Sequence, residues 1–282
     1  MKNILLPTDF SKNSLNAMHY AMALFKDIPC KFYLLNVFKI PYVTNEVLME
    51  NDAHQLAKLE EGLYETSQKR MKDVLKKLKL KSKSNHKFEL LSDYNFFINS
   101  VQNYVKAKNI EIIVMGTKGA TGAKEIFMGS NTGDVIMKTE CNVLAVPENT
   151  VFKDPREITF PTDFKIPYKK EDMAPLIEIA EMYQSSIRVL LFSERENIDE
   201  EQKFNKKLLK KYLDKINHTY HTLSNSDFEV ALNCFTQSRG NIDMIAIIAK
   251  HYNFFQRLFF KPKVEELSFH TKIPMLVLHK IK

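Results

Sequence analysis

The segment Ile4-Leu-Leu-Pro-Thr-Asp-Phe10 returns as Ile158-Thr-Phe-Pro-Thr-Asp-Phe164, 154 residues further along a chain of 282. A repeat of this period means that one supersecondary unit is built twice, so the fold of either copy constrains the other. Behind each copy comes a helical pattern and then an apolar run, Lys31–Phe38 in one and Ile187–Phe192 in the other. Ile110–Met115 corresponds to Ile242–Ile247 at an offset of 132, which also pairs Thr139 with Thr271, Val143 with Met275 and Val146 with Leu278. The offset shrinks by 22 residues between the second and third strands, where the first copy carries a longer helical insertion.

Within the first copy the pattern predicts strands near 2–7, 31–38, 86–91, 111–115 and 143–147, alternating with helices. The strand runs are continuously apolar, as required when helices cover both faces of a parallel sheet. Helix starts are expected at Ser11 or Asp9, at Asn45, at Asp93 and at Ser130, all residue types that accept a hydrogen bond from the first turn. The fold class is therefore α/β: two tandem copies of a five-stranded parallel sheet of Rossmann-like type. We place the units at 1–148 and 149–282, joined by the polar, proline-flanked stretch Pro147–Pro155. That joint is too short for independent tumbling. The two units are expected to pair within the chain, with Asn142–Pro147 and Pro274–His279 as the contact. A homodimer is a further arrangement open to such a chain.

Composition narrows the setting. With 44% hydrophobic and 27% charged residues the chain has the make-up of a globular protein. No apolar run approaches the ~18 residues of a membrane span, and the N-terminal apolar stretch is too short for a secretory signal. Cys30, Cys141 and Cys234 are odd in number and widely spaced, which fits a reducing cytoplasm better than a disulfide framework or zinc site. His218, His221, His270 and His279 show no zinc spacing with them. The net charge of +7 is concentrated in Lys69, Arg70, Lys72, Lys76, Lys77, Lys79, Lys81, Lys83 and Lys87. Met71, Val74, Leu75 and Leu78 run beneath them at helical spacing, and no aromatic residues interleave to stack bases. A solvated helix face is expected there rather than a nucleic-acid surface.

Five of the chain's 7 glycines, Gly116, Gly119, Gly122, Gly129 and Gly133, fall within eighteen residues directly after the Ile110–Met115 strand. In an open parallel sheet ligands sit beyond the carboxyl ends of the strands, where strand order switches. Both Pro7-Thr8-Asp9 and this glycine segment are predicted to lie at that edge. The segment lacks the Gly-Lys-Ser/Thr of a P-loop and the spacing of the dinucleotide fingerprint. Gly116 and Gly119 would let backbone N–H groups face an anion, and Gly129-Ser130 would add the orphan donors of a helix start. The hydroxyls of Ser130 and Thr132 supply further donors, and Lys118 or Lys124 supplies charge. The alternative at this level is a flexible loop followed by a glycine-started helix.

The spacing G-x2-G-x9-G-S at Gly116, Gly119, Gly129 and Ser130 resembles the ATP-binding signature of the universal stress protein family. The opening Pro7-x-Asp9-x-Ser11 and the closing Thr-Glu-Cys-Asn-Val-Leu-Ala-Val-Pro147 are similar to that family's ends, and the repeat resembles a tandem member. The resemblance implies that Pro7, Thr8 and Asp9 line the adenine and ribose region, with Val37 at the end of the second strand. Met115 and Gly116 would continue the nucleoside wall, while Gly119, Gly129, Ser130 and Asn131 would bind phosphates. It implies ATP as ligand, with Mg²⁺ or Mn²⁺ held mainly by phosphate oxygens, in a cytoplasmic stress-response regulator. No catalytic residue is assigned; the alternatives are an interaction module with a vestigial site and a slow ATPase. In the second copy the cradle positions become Ile248, His251, Lys261 and Pro262, so no triphosphate is expected there although Asp163 persists.

Overall fold

The computed structural model describes residues 1–39, 53–80, 85–117, 130–193, 198–224, 228–249 and 272–279. The first half comprises β1 (Lys2–Pro7), α1 (Lys12–Leu24), β2 (Cys30–Phe38), α2 (Ala53–Lys79), β3 (His86–Tyr94), α3 (Phe97–Ala107), β4 (Ile112–Gly116), α4 (Ser130–Lys138) and β5 (Asn142–Val146). The second comprises β6 (Glu157–Thr162), α5 (Lys170–Tyr183), β7 (Ser186–Ser193), α6 (Glu200–Tyr212), β8 (His218–Ser224), α7 (Phe228–Arg239), β9 (Met244–Ile248) and β10 (Met275–Leu278). Most of the extra length of the first copy lies in α2, whose 27 residues compare with 13 in α6.

The strands form one ten-stranded sheet in the order β3-β2-β1-β4-β5-β10-β9-β6-β7-β8. Each half has the same internal order, parallel throughout, and the halves meet where β5 runs antiparallel to β10. Val143 faces Val277 and Ala145 faces Met275 across that seam. The carboxyl ends of the two sets of strands therefore point in opposite directions. Strand order switches between β1 and β4 in one half and between β6 and β9 in the other.

Alternation along the strands divides the core into two layers. Ile4, Leu6, Phe32 and Leu34 face α1, α2, α5 and α6, joined by Met71, Leu78, Leu176 and Leu209. Leu5, Leu35, Ile113 and Val143 face α3, α4 and α7 through Val101, Val135 and Leu232. Helices on both faces explain why the strands read as unbroken apolar runs. Along α2 the buried positions are Ser67, Met71, Val74 and Leu78, a helical stripe, while Lys69, Arg70, Lys72, Lys76, Lys77 and Lys79 are exposed.

The structure decides between the two caps expected for α1 and corrects one helix start. Ser11, not Asp9, caps α1: the Ser14 N–H donates to Ser11 Oγ at 3.1 Å. Asp93 does not start a helix, because β3 stays paired with β2 as far as Phe38 opposite Tyr94, and α3 begins four residues later without a side-chain cap. A residue whose backbone is held in a ladder cannot also open a helix. Asn45 lies outside the described residues.

On the helical face shared by the halves, Phe152 packs between Tyr20 and Tyr183, with ring centroids 5.2 and 6.0 Å away. The Tyr183 hydroxyl donates to the carbonyl of Leu24 at 2.6 Å, satisfying an acceptor that the end of α1 leaves open. Lys2 reaches across to Glu178 at 2.7 Å while also meeting Glu111 at 3.3 Å.

Candidate functional site

The turn after β1 is built by short-range hydrogen bonds that the Thr-Asp-Phe sequence supplies. Thr8 N–H still pairs with the Leu35 carbonyl at 2.8 Å, so β2 holds the chain one residue past the strand. The Thr8 hydroxyl then meets Ser14 Oγ and accepts from the Phe10 N–H, both at 3.0 Å. Asp9 Oδ1 accepts from the Ser11 N–H, and Phe10 enters the left-handed region at φ 65°. Pro7 and Thr8 are thus buried and structural in their side chains, whereas Asp9 stands exposed at the crest of the turn. Arg70 Cζ of α2 lies 4.0 Å from the centre of the Phe10 ring, a cation–π contact that ties α2 to the turn.

Across the switch point, Met115 and Gly116 end β4 in buried positions. At Gly116 the space a Cβ would need is taken by the Asn13 amide of α1, whose atoms lie 2.8 to 2.9 Å from that point. The missing side chain therefore lets α1 pack against the strand end. Thr132 is buried as well, and its hydroxyl donates to the Gly116 carbonyl at 2.8 Å. It ties α4 to β4 rather than offering a donor to an anion. Ser130 and Asn131, by contrast, are exposed in the first turn of α4, which contains no acidic residue. Unpaired N–H groups of a helix start, free of a competing carboxylate, suit a negatively charged group. Val37 packs partly buried against the core layer of α3. The edge of the sheet therefore carries Asp9, Val37, Gly116, Ser130 and Asn131 around one switch point. Gly119 and Gly129 lie outside the described residues.

Residues that the pattern reading did not single out hold this arrangement. Asn36 Nδ2 donates to the Thr8 carbonyl at 2.8 Å, and Ser67 Oγ donates to Asn36 Oδ1 at 2.8 Å. Asn13 and Ser14 act from α1 as described. The one available signal was Ser67, a polar residue continuing the apolar stripe of α2 four positions before Met71.

The second half repeats the turn and fills the space beneath it. The Phe164 N–H donates to Thr162 Oγ1 at 2.9 Å, Lys165 N–H donates to Asp163 Oδ1 at 2.9 Å, and Phe164 has φ 57°. At the offset of 154, however, Ser14 becomes Tyr168 and Asn13 becomes Pro167. The Tyr168 hydroxyl bonds Thr162 Oγ1 where Ser14 bonds Thr8, and the ring is buried against Phe160. Burial raises the Tyr168 phenol well above its ordinary pKa. Phe164 is fully buried, and Ile248 occupies the place of Gly116. Ser14 thus gives way to Tyr168 and Gly116 to Ile248, while Phe164 matches Phe10 and is buried more deeply. His251, Lys261 and Pro262 lie outside the described residues.

Other reactive groups stand apart from both edges. Burial pushes the thiols of Cys30 and Cys141 up to about 12, and Cys141 Sγ donates to the Ile110 carbonyl at 3.4 Å. Desolvation lowers His279, on the seam, to about 4 against the opposing pull of Glu140. His221 is lowered by burial and by Arg239 and Arg188. Among the described residues no three His, Cys, Asp or Glu side chains gather to hold a metal ion. Among them too, no helix is long and apolar enough to cross a membrane.

These features can be set beside known proteins. The model of the universal stress protein family matches residues 1–147. A universal stress protein of Methanocaldococcus jannaschii is 32% identical over 146 residues, covering 51% of this chain and 81% of that protein. A second from the same archaeon is 28% identical over 157 residues, covering 51% and 94%. Among solved structures, a universal stress protein from Archaeoglobus fulgidus superposes with a TM-score of 0.63 at 16% identity, over 99% of this chain and 96% of that one. A functionally unknown protein from Pseudomonas aeruginosa gives 0.60 at 13% identity, over 99% and 92%. At such identities the structural likeness speaks for the fold alone, and it extends through both halves. Together with the match over the first 147 residues, it makes this chain a member of the universal stress protein family, built as two tandem Rossmann-like copies.

Proposed function

We propose that this protein is a cytoplasmic ATP-binding regulator of the stress response, with the nucleotide held by the first unit, residues 1–148. The observation that carries the reading is the asymmetry between the two switch points. Asp9, Ser130 and Asn131 are exposed around Ser14 and Gly116 in one half, while Tyr168 and Ile248 take those two places in the other. In this reading Asp9 and Val37, with the backbone of Pro7 and Thr8, receive adenine and ribose. Met115 and Gly116 form the nucleoside wall, and Gly119, Gly129, Ser130 and Asn131 bind the phosphates. A bound Mg²⁺ or Mn²⁺ would offset phosphate charge and be held mainly by phosphate oxygens. The second unit, 149–282, serves as intramolecular partner and as a surface for other proteins. ATP occupancy would act by altering that packing rather than through committed turnover, since no general base is assigned.

Equilibrium dialysis of the full chain against Mg·ATP tests the reading, with mass spectrometry of any nucleotide released from the purified, denatured protein. One ATP per chain is expected, and Gly119→Val with Ser130→Ala should abolish binding while the fold survives. Unchanged affinity in that variant would place the phosphates elsewhere. Phosphate release at about 1 s⁻¹ or faster, ordinary enzyme speed, would favour an ATPase instead.

A further inference from the structure

The apolar layer between α2 and the sheet changes character at its last step. Leu78, Val74 and Met71 cover the strands from one end, and then Ser67 takes the next position of the stripe, 4% exposed. Asn36 and Ser92 lie opposite each other in the β2–β3 register directly beneath it. Ser67 and Ser92 hydroxyls are 2.8 Å apart, and Gln68 Nε2 donates to Ser92 Oγ at 3.0 Å. Gln68 Nε2 also approaches the hydroxyl of Tyr64, which is 47% exposed on the outer side of α2, at 3.4 Å.

The direction of this chain follows from proton counting. Ser67 has one hydroxyl proton and gives it to Asn36 Oδ1, so Ser92 must donate to Ser67, and Gln68 in turn donates to Ser92. Asn36 then passes its own N–H to the Thr8 carbonyl. From Gln68 through Ser92, Ser67 and Asn36 each donor points toward the turn after β1, while Gln68 also donates outward to the Tyr64 hydroxyl. Aligned bonds of this kind polarise one another, and a buried network missing one member leaves its neighbours unsatisfied. In the second half the register places Leu191 where Asn36 stands, because Leu35 and Leu190 are the partners of Pro7 and Pro161. In that half the amides come from α6 instead, Gln202 Nε2 donating to the Asp163 carbonyl at 2.6 Å and Asn205 Nδ2 to the Phe164 carbonyl at 2.8 Å.

The geometry points to Ser67 and Asn36 as positioning residues for the nucleotide site, linking α2 to the Thr8 turn through a one-way hydrogen-bond relay. The inference rests on the nucleotide reading above but names residues that touch no ligand. The relay fixes the Thr8 carbonyl, and through it the crest carrying Asp9. Linkage requires the reverse effect, so ATP tightens the docking of α2 and gives the surface around Tyr64 a dependence on occupancy.

The test uses the full chain in two assays, Mg·ATP affinity and amide hydrogen exchange without nucleotide. Ser67→Ala should weaken ATP roughly three- to tenfold, the equivalent of one lost buried bond, and Ser67→Thr, which keeps the hydroxyl, should restore most of it. Gln68→Ala, at the half-exposed outer link, should act in the same direction by about twofold, the low end of such bonds. Without nucleotide, Ser67→Ala should speed exchange at the Thr8 and Phe10 amides and leave the matching Phe164 amide unchanged. ATP should slow exchange around Ser67 in the wild type and do so less in the alanine variant. Equal affinity and equal exchange in wild type and Ser67→Ala would overturn the relay while leaving nucleotide binding intact. A wild type that binds no ATP would overturn the nucleotide reading instead. The relay would then stand or fall on the exchange of Thr8 and Phe10 alone.

Discussion

Gly116 offers two incompatible explanations of one residue, and a single substitution separates them. If its missing side chain admits the nucleoside, Gly116→Ala should lower ATP affinity and leave stability alone. If it admits Asn13, the added methyl lands 2.8 Å from the Asn13 amide carbon and nitrogen, closer than Cβ atoms approach their neighbours. Asn13 is buried, 6% exposed, so its short side chain has little room to retreat. Overpacking of this kind costs about 1–3 kcal/mol. Alanine in a strand is otherwise favoured over glycine by about 0.5–1 kcal/mol, leaving a net loss centred on about 1 kcal/mol. For a chain of this size that lowers the thermal midpoint by roughly 2–4 °C. The decisive measurement is the same substitution in an Asn13→Ala background, as a double-mutant cycle. With the amide gone, alanine at 116 should become neutral or slightly stabilising. An equal loss in both backgrounds, or a fall in affinity with an unchanged midpoint, would refute the packing argument.

Three further outcomes follow from the same structure. His279 is held neutral with its pKa lowered to about 4, so its contribution is fully present above an unfolded value near 6.5 and is lost as pH falls toward 4. This should amount to at most roughly 3 kcal/mol. Urea titrations from pH 7.5 to 4 should show His279→Gln with a shallower decline than wild type. Tyr183→Phe removes the donor to the Leu24 carbonyl and should destabilise by about 1–2 kcal/mol, read as a lower thermal midpoint with ATP affinity unchanged. A thiol reagent should modify Cys234 quickly in the native protein, with Cys30 and Cys141 reacting only after denaturant is added, because those two are buried and Cys234 is exposed; two fast equivalents would contradict that burial.

Much of the architecture was legible because local pattern and tertiary environment agree. Strands buried on both faces must be apolar throughout, so β1, β2, β4 and β5 fall within a residue of their sequence expectation. The start of α3 departs from its local pattern for the opposite reason. Asp93 is a good cap in isolation, but the β2 ladder claims its backbone, and that pairing is a long-range fact. Gly116 shows the same limit, since its neighbour Asn13 is more than a hundred residues away in sequence. The relay joins Thr8, Asn36, Ser67 and Ser92 across separations of 25 to 31 residues. Nothing in a single chain pairs them in advance. Tyr168 was within reach: the repeat aligns it with Ser14, and a bulky ring in place of a hydroxyl already announces a filled cleft.

In the proposed reading the seam gives the second half a task that needs no nucleotide site. A five-stranded unit ending at β5 would present Asn142–Val146, buried here at every position, as a bare apolar edge with unpaired N–H and C=O groups. β10 closes that edge, and Thr150 and Asn142 add bonds to Lys272 and His279 across it. A separate copy would have to be recruited at the concentration-dependent cost of association, whereas a tethered twin is always present. Once the twin's task is to cover an edge, its own switch point is under no demand for open space. Tyr168 and Ile248, both buried, can then take the places of Ser14 and Gly116. The same logic fixes where function is lost first. Damage at the β5–β10 ladder should disturb both halves together, while damage beneath Tyr168 should cost stability and leave the Asp9 edge unchanged.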